Sequence, residues 1–236
     1  MSLQPHTRRV RPHVKICGIT RREDADAAIA LGAEFIGLNF FAGSPRSIAV
    51  SEAASLRRHV GDRARVVGVF VDHEPAEVMR IAAAVALDLL QFHGHEGPAE
   101  LEPHGARAIK VLRVEGELPR AEIARYSSAW GFLFDTARAA VAKPSNGTDA
   151  SDDDHRRFGG TGTPWSWESA GPLPADRPVF VAGGIRPDNV ADLLAVLSPW
   201  GIDVSSGVES APGRKDPLLL ERLFEEIAHA QITGAP

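Results

Sequence analysis

Short apolar, β-branched runs alternate along the chain with stretches whose apolar positions recur every three or four residues. "HVKICGI" is the first strand-like run, closed by Gly18. "TRREDADAAIALGA" follows as a helix, with Thr20 as the expected N-cap, Glu23 completing a capping box and Gly32 as the stop. "EFIGLNF" reads as a second strand, and "SEAASLRRHVG" as a helix opened by Ser51 and closed by Gly61. "ARVVGVFV" is a third strand, and "EPAEVMRIAAAVAL" a helix with Pro75 in its first turn, where a missing N–H costs little. "DLLQFHG" and "AIKVLRV" are strands separated by a short helix near "PAELEPHG", and the helix "RAEIARYSS" leads into the strand "GFLFDT". "PVFVAGGI" and "GIDVSSGV" flank the helix "PDNVADLLAVLS", and "DPLLLERLFEEIAHAQ" is a strongly amphipathic last helix.

Continuous apolar strands joined by helices imply a parallel sheet covered on both faces. The eight strand candidates in 236 residues fit an α/β fold, a single (β/α)8 TIM barrel with a parallel eight-stranded core. An open doubly wound sheet is the runner-up, and no G-x-G-x-x-G follows the first strand to support it. The barrel is expected over residues 14–231, after a basic, flexible extension at 1–13. Ser, Asp, Gly and Pro cluster after the sixth strand, so 137–158 is expected to be a long, polar, mobile loop.

The extension lacks an apolar core, and no apolar run approaches the ~20 residues that span a bilayer, so a cytoplasmic protein without membrane contact is expected. A net charge of −5 argues against nucleic acid, and an anionic ligand would need a local positive site. The single cysteine rules out an intramolecular disulfide and a cysteine-built zinc site. No histidine or carboxylate spacing points to a metal. Oligomeric state is open between monomer and homodimer.

Barrel active sites lie at the C-terminal strand ends, and side chains alternate along a strand. Cys17 and Lys15 therefore share a face, as do Asp203 with Ser205 and Gln91 with His93. Asp135 facing inward turns Phe132 and Phe134 toward the helices. Polar groups converging on one rim suggest a polar ligand, because burying them unpaired is costly. Cys17 is either an inert buried thiol or, with Lys15 beside it lowering its pKa toward neutrality, a nucleophile or base. Taken alone, Asp135 reads equally as a loop hydrogen-bonder, Arg46 as a surface arginine, and His93 as a bland loop histidine. The glycine turns "GGTG", "AGGI" and "SSGV" fall after strands six, seven and eight, where barrels hold phosphate. They nominate Gly160, Gly162, Gly183, Gly184, Ser205, Ser206 and Gly207 for a phosphorylated small-molecule substrate, and Arg46 has the fork for a carboxylate.

"KICGIT", "GSPRSI", "VGVFVD", "LLQFHG", "FDT", "GGTGTPWSW", "AGGIRPDNV" and "DVSSGVESAPGRKD" occur in an order that resembles the phosphoribosylanthranilate isomerases of tryptophan biosynthesis. The resemblance runs from residue 14 to about 228. It implies a (β/α)8 barrel and a cofactor-free Amadori rearrangement. It implies Cys17 as general base, Asp135 as general acid, Arg46 as holder of the anthranilate carboxylate and Asp203 as a substrate contact; Gln91 is a further candidate contact. Two features depart from the family's pattern: Ser166 stands where members carry Asp before Trp, and the loop after Asp135 is much longer than theirs. Other readings are a different phosphate-binding barrel enzyme, or a barrel that binds a phosphorylated ligand without turnover.

Overall fold

The computed structural model describes residues 11–136 and 167–233. Eight parallel strands close into a barrel in chain order: β1 His13–Cys17, β2 Phe35–Asn39, β3 Arg65–Phe70, β4 Leu89–Phe92, β5 Ala108–Val114, β6 Gly131–Thr136, β7 Val179–Val181 and β8 Gly201–Val204. Pairing of β1 with β8, Val14 opposite Ile202 and Ile16 opposite Val204, completes the ring and removes the open-sheet alternative. Helices α1 Arg22–Leu31, α2 Val50–Val60, α3 Pro75–Val85, α4 Pro98–Leu101, α5 Arg120–Arg125, α6 Val190–Val196 and α7 Pro217–Thr233 belong to the same chain order. This is the (β/α)8 TIM barrel that the alternation of patterns predicts.

Side-chain parity explains why these segments become strands. Val14, Ile16, Ile36, Leu38, Val66, Leu90, Phe132, Phe134, Val181, Ile202 and Val204 form one continuous apolar layer with the helices. A second cluster, including Phe35, Val67, Leu89, Ile109, Leu133 and Phe180, forms from the alternate residues of the strands, inside the barrel. Each fully buried Phe or Leu contributes ~1.5–3 kcal/mol relative to exposure, so neither face of a strand can turn to water cheaply. At the N-terminal end, Trp200 packs against the rings of His13, Phe35, Phe180 and Trp130 at centroid distances of 4.1 to 5.7 Å. The Arg65 guanidinium lies 5.3 Å over Trp130. That end is filled, which leaves the polar chemistry to the C-terminal end.

Several local expectations change. Thr20 does not cap α1: Arg21 takes the N-cap position without a side-chain bond, and the Thr20 hydroxyl instead donates to the Gly213 carbonyl at 2.7 Å. A tertiary partner there replaces the local one. Ser51 lies inside α2, whose N-cap is Ala49, and the Ala49 N–H reaches Glu52 Oε2 at 3.4 Å. Gly32 does end α1, in the left-handed region at φ 105°, with its N–H on the Ala28 and Ile29 carbonyls. Part of the expected flexible extension is fixed: His13 opens β1, and Arg11 donates to the Gly32 carbonyl at 2.9 Å. "VESAPGRK" forms an antiparallel hairpin, β9 Glu209–Ala211 and β10 Arg214–Lys215, which the strand count did not include. The loop 137–158, together with Gly160, Gly162 and Ser166, lies outside the described residues. Among the described residues no helix is long and apolar enough to cross a membrane.

Candidate active site

Toward the C-terminal end of the barrel, Lys15, Cys17, Gln91, Asp135 and Asp203 stand on the inner face above an aromatic and aliphatic layer. Lys15 stands opposite Asp203 in the β1–β8 register. Its Nζ donates to Asp203 Oδ1 at 2.9 Å, with the Lys15 side chain 0% and the Asp203 side chain 9% exposed. Burial pulls the Lys15 ammonium down, but Asp203 and Cys17 outweigh it, and its pKa ends above the ordinary lysine value.

Cys17, the last residue of β1, follows on the same inner face. At this position the structure corrects the sequence reading. Burial pushes the thiol pKa up; Lys15 and Lys215 pull it down, Asp203 adds to the rise, and the outcome is above the ordinary value, not near neutrality. Lys15 gives much of its field to Asp203, so it does not make a free thiolate at Cys17. Room for the sulfur comes from Gly37, its register partner on β2. A Cβ at Gly37 would lie 2.8 Å from Cys17 Sγ and 3.0 Å from Cys17 Cα. Gly37→Ala is therefore expected to displace the thiol and cost ~1–3 kcal/mol of stability by overpacking, seen as a lower Tm together with a lower kcat/KM.

Asp135 faces inward from β6, with β7 and β8 between it and β1. Its Oδ1 accepts the Thr136 N–H at 2.8 Å, and Oδ2 lies 3.4 Å from His93 Nε2. His93 Nδ1 in turn lies 3.4 Å from Gln91 Nε2, so a Gln91–His93–Asp135 line runs across the inner wall from β4 to β6. Gln91 is 1% exposed and its Oε1 has no hydrogen-bond partner among the described residues. The sequence reading placed Gln91 and His93 on one face but gave His93 no task. Sharing that parity with Gln91 was the available signal.

Arg46, in the turn after β2, does not stand alone as the sequence reading pictured it. Its Nε and Nη2 grip the Glu209 carboxylate at 2.6 to 3.1 Å. It also sits against Gly18, where a Cβ would meet Arg46 Cδ at 2.5 Å. Lys215 completes the cluster, its Nζ donating to the Cys17 carbonyl at 2.6 Å, the Ser205 carbonyl at 3.1 Å and Glu209 Oε1 at 2.8 Å. Burial would raise the Glu209 pKa, but its bonds to Arg46 and Lys215 carry it below the usual carboxylate range. Burial lowers the Lys215 pKa despite Glu209. Neither Glu209 nor Lys215 was singled out by sequence, because both lie in the unrecognised hairpin.

Of the glycine turns, the structure brings two together. Gly183 and Gly184 follow β7 at φ 91° and 65°, a region that favours glycine. A Cβ at Gly183 would also come within 3.0 Å of Asp135 Oδ1. Ser206 opens a short 3-10 turn, Ser206–Val208, and the Ile185 carbonyl occupies the place a Cβ on Gly207 would need. Ser205 donates its hydroxyl to the Cys17 carbonyl at 3.2 Å. Among the described residues no three His, Cys, Asp or Glu side chains are grouped to hold a metal. The rim thus offers a thiol and a carboxyl on separate strands, a cationic edge near the thiol, and backbone turns suited to an anion.

A model of the N-(5'-phosphoribosyl)anthranilate isomerase family matches residues 14–226. The isomerase of that name from Thiobacillus denitrificans is 40% identical over 214 residues, covering 90% of this chain and 96% of that protein. The crystal structure of phosphoribosyl anthranilate isomerase from Thermus thermophilus superposes with a TM-score of 0.72 at 36% identity, covering 92% of this chain and 98% of that one. A solved phosphoribosyl anthranilate isomerase in complex with reduced 1-(o-carboxyphenylamino)-1-deoxyribulose 5-phosphate superposes with a TM-score of 0.71 at 26% identity, covering 92% and 99%. With the match spanning nearly the whole barrel, the chain belongs to the phosphoribosylanthranilate isomerase family and is an isomerase of that type.

Proposed function

We propose that the protein converts N-(5-phosphoribosyl)anthranilate into 1-(2-carboxyphenylamino)-1-deoxyribulose 5-phosphate in tryptophan biosynthesis, with Asp135 as general acid and Cys17 as general base. The observation that carries this reading is the placement of both side chains on the inner wall at the C-terminal ends of β6 and β1. Asp135 gives its proton to the furanose oxygen as the C1–O bond breaks, and the nitrogen lone pair forms the C1=N iminium. Cys17 then takes the proton from C2. The C2–H electrons form C1=C2 and neutralise the nitrogen, and the resulting enol tautomerises to the ketone. A sugar held between two strands of one rigid barrel reacts as if intramolecularly.

In this reading, Gly160, Gly162, Gly183, Gly184, Ser205, Ser206 and Gly207 hold the phosphate. Arg46 holds the carboxylate, and Gln91 and Asp203 contact the sugar. The raised thiol pKa fits a base that works only once substrate is committed. To act on C2, Cys17 first gives its thiol proton to solvent, and the positive charge of the neighbouring iminium favours the thiolate that results. Related support comes from the relative solved with the reduced carboxyphenylamino-deoxyribulose phosphate, which shares this fold.

The direct test is conversion of the phosphoribosylated anthranilate, followed by loss of its fluorescence; absence of turnover by the folded protein would refute the reading. A second expectation concerns the free enzyme. The alkylation rate of Cys17 should keep rising with pH and show no plateau below the ordinary thiol pKa of ~8.5. A plateau near neutrality would mean that a stable thiolate exists before substrate arrives.

A further inference from the structure

We propose that Glu209, locked by Lys215, is a positioning residue that aims one edge of the Arg46 guanidinium at the substrate's carboxylate. The proposal rests on the reading above, in which Arg46 meets that carboxylate, and adds a residue that plays no part in it so far. An arginine fork has two edges that can each receive a carboxylate: the side edge of Nε and Nη2, and the end edge of Nη1 and Nη2. Glu209 takes the side edge, with Nε and Nη2 donating at 2.6 to 3.1 Å. Nη1 makes none of those bonds, which leaves the end edge for a second planar anion.

Glu209 can fix that edge because it is itself immobilised. Its side chain is 4% exposed, and Oε1 also accepts the Gly213 N–H at 3.2 Å and the Lys215 ammonium at 2.8 Å. Lys215 is anchored in turn by the Cys17 and Ser205 carbonyls, and its own backbone N–H donates to Asp24 Oδ2 at 3.0 Å. The same ammonium therefore touches the backbone of the proposed base and the carboxylate that orients the proposed anchor.

Charge gives Lys215 a second task. A lone Glu209 would cancel Arg46 and leave nothing to attract an anion. Two cations around one carboxylate leave the cluster net positive while the geometry stays fixed. A flexible arginine would instead lose side-chain entropy on each binding event, which pre-orientation avoids.

The experiment compares two ligands: reduced 1-(2-carboxyphenylamino)-1-deoxyribulose 5-phosphate and its phenylamino counterpart without the carboxylate. Glu209→Gln keeps the size of the side chain but presents one acceptor to the fork instead of two. It is expected to weaken the carboxylate ligand roughly tenfold, to leave the phenylamino ligand within about threefold of wild type, and to raise KM more than it lowers kcat. Glu209→Ala, verified as folded by its unfolding transition, should show the same selective loss. In an Arg46→Ala background neither change should add to the loss. Equal weakening of both ligands, or no change in either, would overturn the proposal and leave Glu209 as a tie for the hairpin. If Arg46→Ala itself failed to distinguish the ligands, the assignment of Arg46 would fall together with it.

Discussion

Asp135→Asn and Cys17→Ala are each expected to lower kcat by ~10²–10⁴-fold while leaving the barrel folded, because each removes one proton-transfer group. The amide oxygen of the Asp135→Asn variant can still accept the Thr136 N–H that Asp135 Oδ1 now accepts at 2.8 Å, so the loss is chemical and not architectural. Removing the Cys17 sulfur leaves a small void beside Gly37, a modest cost for a side chain of this size. Steady-state kinetics with circular dichroism on each variant checks both points. Wild-type turnover by either variant would remove that residue from the mechanism.

The second large effect is on stability. Lys15→Met leaves Asp203 as an uncompensated carboxylate inside the barrel and is expected to cost ~3–5 kcal/mol, measured by denaturant unfolding. Domains are typically stable by only ~5–15 kcal/mol, so the midpoint should fall far. The paired replacement Lys15→Met with Asp203→Leu should recover most of that loss, because neither charge is then left alone. A single variant within ~1 kcal/mol of wild type would mean that water or another cation reaches Asp203 when Lys15 is gone. The double variant should stay inactive, because Asp203 is the proposed contact to the sugar. Its recovered stability without turnover separates what the pair does for folding from what it does for the reaction.

Most of the barrel was legible because its signals are local. The alternation that hides Phe132 and Phe134 against the helices also turns Asp135 inward, and one register of two residues sets both. Lys15, Cys17 and Asp203 followed from the same rule. What the sequence did not convey are pairings whose members lie far apart in the chain. The sign of the Cys17 shift depends on how far Asp203 offsets Lys15 and how deeply the thiol is buried, and neither is a property of "KICG". Arg46 read as a free fork because Glu209 lies 163 positions away. Thr20 was assigned to its helix because the Gly213 carbonyl, 193 positions on, cannot be seen from "TRRE".

The bond from Lys15 to Asp203 spans 188 positions, and the bond from Lys215 to the Cys17 carbonyl spans 198. The first strand of the barrel thus waits for residues beyond its eighth strand before its thiol has its final surroundings. A nascent chain stopped after β4 would hold the sulfur without its electrostatic frame, and no half-barrel of this sequence carries the site in miniature. Splitting the gene between strands should yield two silent fragments that regain turnover only on association, so the chemistry arrives all at once, when the barrel closes.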